Sequence, residues 1–368
     1  MSNVRHVLGI SGGKDSAALA IYLKQNYPAL NIDYYTTDTG KELDETYQLI
    51  ENLEVYLGKK ITLLKAAEGS HVDSFDHFLK MYGGYLPSSN SRWCTKKLKL
   101  EPFEKYVGND LVVSYVGIRG DEDREGYISK KSNIQSIFPF RKNIFSEDVI
   151  TKFINNNNTE KLITLTDVID LGRRRDKIID ILAKPIALNF NQQSKMDQLF
   201  NQGIKETNRL IFEFLKSTDY PLAKEEDFPL IDNEEVLVRD DIFRILEESG
   251  VGIPAYYKKV DFEVEDKKGQ YARSRSGCYF CFFQQKIEWV WLYEQHPELF
   301  QKALDYEKAG YNWNQEETLS ELILPERIKQ IKEDYIKRQE RTQSNMKSSF
   351  LLDILDDSET EGCAACFI

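Results

Sequence analysis

Residues 4–16 read Val4-Arg5-His6-Val7-Leu8-Gly9-Ile10 and then, without a break, Ser11-Gly12-Gly13-Lys14-Asp15-Ser16. A short apolar run ends on a glycine-rich loop. Apolar residues then recur at helical spacing at Ala17, Leu19, Ala20 and Leu23. This order predicts strand, tight loop, helix. Glycines let backbone N–H groups approach an anion closely, and a helix N-terminus favours negative charge. Ser11 and Ser16 add hydroxyls and Lys14 adds a cation, so Ser11–Ser16 is a candidate phosphate cradle. The spacing is not the Walker type, which needs four residues between its first glycine and Gly-Lys. A plain strand-to-helix turn capped by Ser or Asp is the alternative.

Working outward, IDYYTTD ends a second strand at Asp38 and leads into a helix with Leu43, Tyr47, Ile50 and Leu53 on one face. KITLLK at 60–65 and LVVSYVGI at 111–118 read as third and fourth strands. Apolar strands alternating with helices imply an α/β fold with a doubly wound, mostly parallel sheet. The texture changes after residue 143. We expect four regions: a nucleotide-binding α/β domain over 1–143, a mostly helical insertion over 144–228, a continuation over 229–345 ending in helices, and a tail over 346–368.

The chain has 368 residues, 49 Lys+Arg against 60 Asp+Glu and a net charge of -11. Its 41% hydrophobic residues exclude a disordered chain. No run approaches the roughly 18 apolar residues of a spanning helix, so no membrane partner is expected and the chain reads as cytoplasmic. The acidity argues against a protein that coats nucleic acid, although Lys96, Lys97, Lys99, Arg119 and Arg124 concentrate positive charge near the expected strand ends. The dense basic cluster GRRRDK at 172–177 is read equally as a nucleic-acid contact and as a solvated helix end.

Four stretches carry a family resemblance. SGGKDS at 11–16 resembles the pyrophosphate-binding loop of the PP-loop ATP pyrophosphatases. TTDTGKELDETY, RWCTKKLKLEP and GIRGDEDRE resemble motifs of the phosphoadenosine phosphosulfate (PAPS) reductase branch, with Asp123 where that motif has Ser. RWCT and the later SGCYFCFF are closest in pattern to the sulfurtransferase component of DNA phosphorothioation systems. The resemblance covers about residues 4–140 and 229–290. It implies an adenine nucleotide alpha hydrolase-like fold and cleavage of ATP between its α and β phosphates. It also implies Mg²⁺ and an acceptor, a DNA backbone phosphate, that is adenylated for sulfur transfer in a modification or antiviral defence system. Partners would include a cysteine desulfurase and other DNA-modification proteins. A PAPS or adenosine phosphosulfate reductase and a non-catalytic nucleotide sensor are the two rival readings.

Within that frame Lys14, Asp15, Arg119 and Cys94 are the expected catalytic residues. Ser11, Gly12, Gly13, Lys14, Asp15, Ser16, Asp38, Thr39, Gly40, Arg119 and Arg124 are expected to bind nucleotide. Asp38 sits at a strand end, where ligands lie in open parallel sheets; a helix N-cap is its plainer role. Arg119 and Arg124 suit bidentate phosphate contact, with surface pairing to Asp121 and Glu122 as the alternative. Cys94, Cys278, Cys281 and Cys366 are expected to hold an iron–sulfur cluster, with zinc or simple packed thiols as alternatives. Phe283, Ile287, Val290 and Trp291 form an apolar helical stripe read as core.

Overall fold

The structure, a computed structural model, describes residues 4–122, 129–307 and 310–345. The amino-terminal part alternates β1 (Val4–Gly9), α1 (Lys14–Asn26), β2 (Ile32–Asp38), α2 (Asp44–Leu57) and β3 (Ile61–Lys65). Next come α3 (Ser74–Met81), α4 (Trp93–Thr95), a π-helical turn over Lys96–Leu100, α5 (Glu101–Val107), β4 (Leu111–Tyr115) and β5 (Ile134–Ile137). The strands order as β3-β2-β1-β4-β5, and every pairing is parallel. The fold is therefore an α/β doubly wound sheet.

Both sheet faces are covered, which is why the strands lack polar alternation. Leu8, Tyr34, Val113 and Tyr115 face α1 and α2, whereas Val7, Tyr35 and Val112 pack with Phe103 and Val107 of α5. The chain leaves β1 toward β2 on one side and later returns to β4 on the other. That switch opens a crevice at the carboxyl ends of β1 and β4, the usual ligand position in such sheets.

Helices dominate the next stretch: α6 (Glu147–Phe153), α7 (Thr159–Leu165), α8 (Arg175–Ala183), α9 (Gln192–Gln202), α10 (Ile204–Leu215) and α11 (Arg239–Glu248). They do not build a core of their own. Phe153, Leu182, Leu199, Leu215 and Leu246 join the same apolar cluster as Leu8 and Leu19. In the basic cluster, Arg174 pairs with Glu206 and Arg175 with Asp167, as in a solvated helix end.

A second cluster lies beyond the carboxyl ends of β2 and β3. The antiparallel hairpin β6 (Val260–Val264) and β7 (Lys267–Tyr271) packs there with α12 (Lys286–Gln295), α13 (Pro297–Tyr306), α14 (Leu319–Leu322) and α15 (Pro325–Asn345). Phe75, Trp93 and Phe280 stack in it, and Ile287, Val290 and Trp291 are buried as expected of the helical stripe. Phe283 departs from that stripe; it lies in a turn before α12 and lines a cavity.

Candidate functional site

The Ser11–Ser16 loop joins β1 to α1 at the crevice. Gly12 has φ +71°, and a Cβ there would stand 2.1 Å from Thr46 Cγ2. Only glycine fits this left-handed turn without strain. The turn folds back on itself: Ser11 N–H donates to Ser16 Oγ at 3.2 Å, the two seryl oxygens lie 3.1 Å apart, and Ser16 Oγ donates to Gly13 C=O at 3.2 Å. Gly13 caps α1 with extended backbone and supplies no side-chain acceptor. The first N–H groups of a 13-residue helix thus reach only distant hydroxyls, Gly13 to Ser11 Oγ and Lys14 to Tyr257 Oη, each at 3.4 Å. A helix start left so weakly satisfied is suited to an anion.

Beneath the loop sits a buried charge relay. Asp15 is 2% exposed and accepts from Lys14 Nζ at 2.9 Å and Arg119 Nη1 at 2.8 Å. Arg119 follows β4, and its approach depends on Gly117, where a Cβ would lie 2.8 Å from the Asp15 carbonyl oxygen. Burial alone would raise the Asp15 carboxyl, but Lys14 and Arg119 outweigh it and hold it below its ordinary value. Burial lowers the Lys14 ammonium despite the pull of Asp15. Asp15 therefore positions two cations at the crevice. Arg119 also pairs with Asp121 at 2.8 Å and Glu122 at 2.7 Å, so the plainer reading of this arginine holds alongside the crevice one. Arg124 lies outside the described residues.

At the end of β2, Asp38 accepts from Gly40 N–H at 2.9 Å and from Tyr47 Oη at 3.0 Å. It closes a turn rather than capping α2, whose N-cap is Leu43. Thr39 Oγ1 donates to Glu42 at 2.7 Å and lies 3.2 Å from Cys278 Sγ.

Residues 5–159, which hold all of these motifs, match the phosphoadenosine phosphosulfate reductase domain family. Residues 5–159 thus form a PAPS-reductase-like domain. It is 34% identical over 145 residues to an uncharacterized protein of Methanocaldococcus jannaschii, covering 36% of this chain and 28% of that one. It is 26% identical over 145 residues to an uncharacterized nin region protein of Escherichia phage lambda, covering 32% of this chain and 49% of that one. The chain thus spans less than half the length of either relative. Among solved structures, the phosphate complex of phosphoadenylyl-sulfate reductase from Candida auris matches 38% of this chain and 66% of that one, at 21% identity and TM-score 0.29.

Cys278 stands just past the carboxyl end of β2, its Sγ 3.2 Å from Thr39 Oγ1. Cys94 and Cys278 pack against the second apolar cluster, and Cys278 and Cys281 bracket a turn closed by Cys281 N–H on Cys278 C=O at 3.2 Å. Burial and then Glu42 push the Cys278 thiol far above its ordinary value. Among the described residues no three His, Cys, Asp or Glu side chains gather to hold a metal ion. Cys366, the fourth expected ligand, lies outside the described residues. Lys97, one of the cations expected near the strand ends, is bound to Glu101 at 2.8 Å.

The PAPS-reductase-like domain also uses residues that sequence reasoning missed. Tyr256 Oη donates to Gly12 C=O at 2.9 Å, and Lys14 Nζ lies 5.3 Å from the centre of the Tyr257 ring. A Gly-Ile-Pro-Ala-Tyr-Tyr run at 252–257 carries no local signal that it docks on a loop some 240 residues earlier. Glu42, which accepts from Thr39 Oγ1 at 2.7 Å and Tyr47 Oη at 3.1 Å, is another such residue. No helix of the described residues is long and apolar enough to cross a membrane.

Proposed function

We propose that the protein is an ATP pyrophosphatase that adenylates an acceptor, a DNA backbone phosphate, for sulfur transfer in a DNA-modification or defence system. The observation that carries this reading is the Lys14–Asp15–Arg119 relay, buried under an anion-ready loop. Two cations held on one carboxylate are preorganised to move onto a pyrophosphate as it leaves, the stage at which negative charge develops. The β and γ phosphates of ATP would lie on the N–H groups of Gly12–Lys14 with the Ser11 and Ser16 hydroxyls. The acceptor oxygen attacks the α-phosphorus, the bond from that phosphorus to the bridging oxygen breaks, and pyrophosphate leaves with its electron pair. A sulfur nucleophile then displaces AMP from the adenylated acceptor. Cys94, partly buried against the second apolar cluster, would carry that sulfur as a persulfide received from a cysteine desulfurase; its outer sulfur attacks the acceptor phosphorus, AMP leaves, and an external thiol reductant then breaks the S–S bond, freeing the phosphorothioate and returning the Cys94 thiol.

Mg²⁺ would neutralise charge on the leaving pyrophosphate. Such an ion is held by one or two carboxylates and the substrate's phosphates rather than by a protein cage, and Asp38 at the β2 end is the carboxylate in position for it. No step is assigned to an iron–sulfur cluster.

Anaerobic assay of ATP and PAPS side by side tests the proposal. Release of AMP and pyrophosphate from ATP, lost in Lys14→Ala, supports it. Release of sulfite from PAPS without ATP cleavage would identify a reductase, and nucleotide binding without either product a sensor.

A further inference from the structure

The residues that match the phosphoadenosine phosphosulfate reductase family end at 159, yet the phosphate loop is also contacted from well beyond them. A Cβ on Gly13 would stand 2.6 Å from Ser276 Oγ and 3.3 Å from Ser11 Oγ. The Ser276 hydroxyl therefore crowds the place where any other residue at 13 would begin its side chain. That hydroxyl is hydrogen-bonded to Tyr257, whose Oη accepts from Lys14 N–H at 3.4 Å. Gly13 N–H reaches Ser11 Oγ at the same length. Both are long against the usual N···O distance of about 2.9–3.0 Å.

The segments that bring these two hydroxyls are anchored on both sides of the loop. Arg273 N–H donates to Tyr256 C=O at 2.9 Å, which ties the stretch before Ser276 to the one that ends at Tyr257. Tyr256 Oη donates to Gly12 C=O at 2.9 Å, and Tyr279 N–H donates to Lys41 C=O past the end of β2 at 2.9 Å. The Tyr257 ring also faces Lys14 Nζ, 5.3 Å from its centre. Ser11, Tyr257 and Ser276 are each partly exposed, so they stay open to a ligand in the crevice.

We propose that Tyr257 and Ser276 complete the phosphate site. When the pyrophosphate half of ATP takes the Gly13 and Lys14 N–H groups, the two hydroxyls rotate and donate to its oxygens. The inference deepens the ATP reading and rests on it for the identity of the ligand. A hydroxyl suits this place because it can accept from an N–H group or donate to an anion, whereas a carboxylate can only accept. Bonds from a hydroxyl to a charged oxygen are shorter and stronger than neutral ones. They strengthen further as charge gathers on the leaving pyrophosphate.

Calorimetric titration of the full chain with pyrophosphate and with AMP tests it, in wild type, Ser276→Ala and Tyr257→Phe. Phenylalanine keeps the ring beside Lys14 and removes only the hydroxyl. Each variant should bind pyrophosphate about tenfold more weakly, the loss of one hydrogen bond to a charged group. Each should bind AMP, which lacks the β and γ phosphates, as wild type does. Unchanged pyrophosphate affinity in both variants would overturn the proposal, as would a wild type that binds no pyrophosphate. So would an equal loss for AMP and pyrophosphate, which would make the hydroxyls supports of the whole crevice. The ATP reading and this one fail separately. If ATP yields AMP and pyrophosphate while both variants bind pyrophosphate like wild type, the reaction stands and the two hydroxyls are overturned. If both variants bind pyrophosphate more weakly in a chain that cleaves no ATP, the hydroxyls stand as phosphate contacts and the reaction falls.

Discussion

Asp15→Asn removes one charge and almost no volume, so it isolates the electrostatic role of the relay. The carboxylate lies 2.9 Å from Lys14 Nζ and 2.8 Å from Arg119 Nη1. At an effective dielectric of about 20, each contact carries a gross attraction of about 6 kcal/mol. Desolvation of the three groups offsets most of it. What remains when one partner of a buried pair is removed is typically about 3–5 kcal/mol, because uncompensated charge stays behind. Here Lys14, 7% exposed, loses its only carboxylate among the described residues, while Arg119 keeps Asp121 and Glu122 and already disfavours the charged form of Lys14. Asp15→Asn should therefore lose about 3–5 kcal/mol in chemical denaturation and lower the Lys14 pKa further. Added ATP should restore part of that loss, since its phosphates replace the missing negative charge. Loss of less than about 1 kcal/mol, with nucleotide affinity unchanged, would refute the view that Asp15 holds the two cations together.

Gly12→Ala should cost about 1–2 kcal/mol from the left-handed backbone alone and displace Thr46; circular-dichroism melts and nucleotide titration should show a folded chain with weakened binding. Glu42 provides a pH test. Burial and then Asp38 push its carboxyl up, against Thr39. The native state thus holds a proton that the unfolded chain releases, so stability falls as pH rises from the ordinary carboxylate value of 4.5 through the raised native one. Glu42→Gln should abolish that fall, measured as unfolding free energy against pH. Because burial and Glu42 raise the Cys278 thiol, alkylation of Cys278 at pH 8 should be slow in wild type and faster in Glu42→Gln, read by mass spectrometry.

Local pattern exposed most of the sheet and the loop, because strand, glycine turn and helix each leave a signature over a few residues. Four strands lie where their apolar runs are. The fifth, Ile134–Ile137, escaped because IQSI is short and its two polar residues are buried in the sheet. The β6–β7 hairpin was legible in principle: Val260, Phe262 and Val264 alternate before a turn at Glu265, which has φ 51°. Reading 259–268 for its charges hid that alternation. The contacts that make the site could not be read locally. Asp15 meets Arg119 across 104 residues and Gly12 meets Tyr256 across 244. Both depend on how the crevice closes, and the sequence marks only the endpoints. At the cysteines the C-x-x-C spacing marks only a short turn, and its neighbours Thr39 and Glu42 come from a distant part of the chain.

The account stands most directly on the fate of ATP. Purified protein incubated anaerobically with ATP, Mg²⁺ and short duplex DNA should convert ATP to AMP and pyrophosphate, followed by phosphorus NMR, with Lys14→Ala and Arg119→Ala each slower by at least about 100-fold. Release of ADP and phosphate, or equal AMP formation by Lys14→Ala, would contradict it.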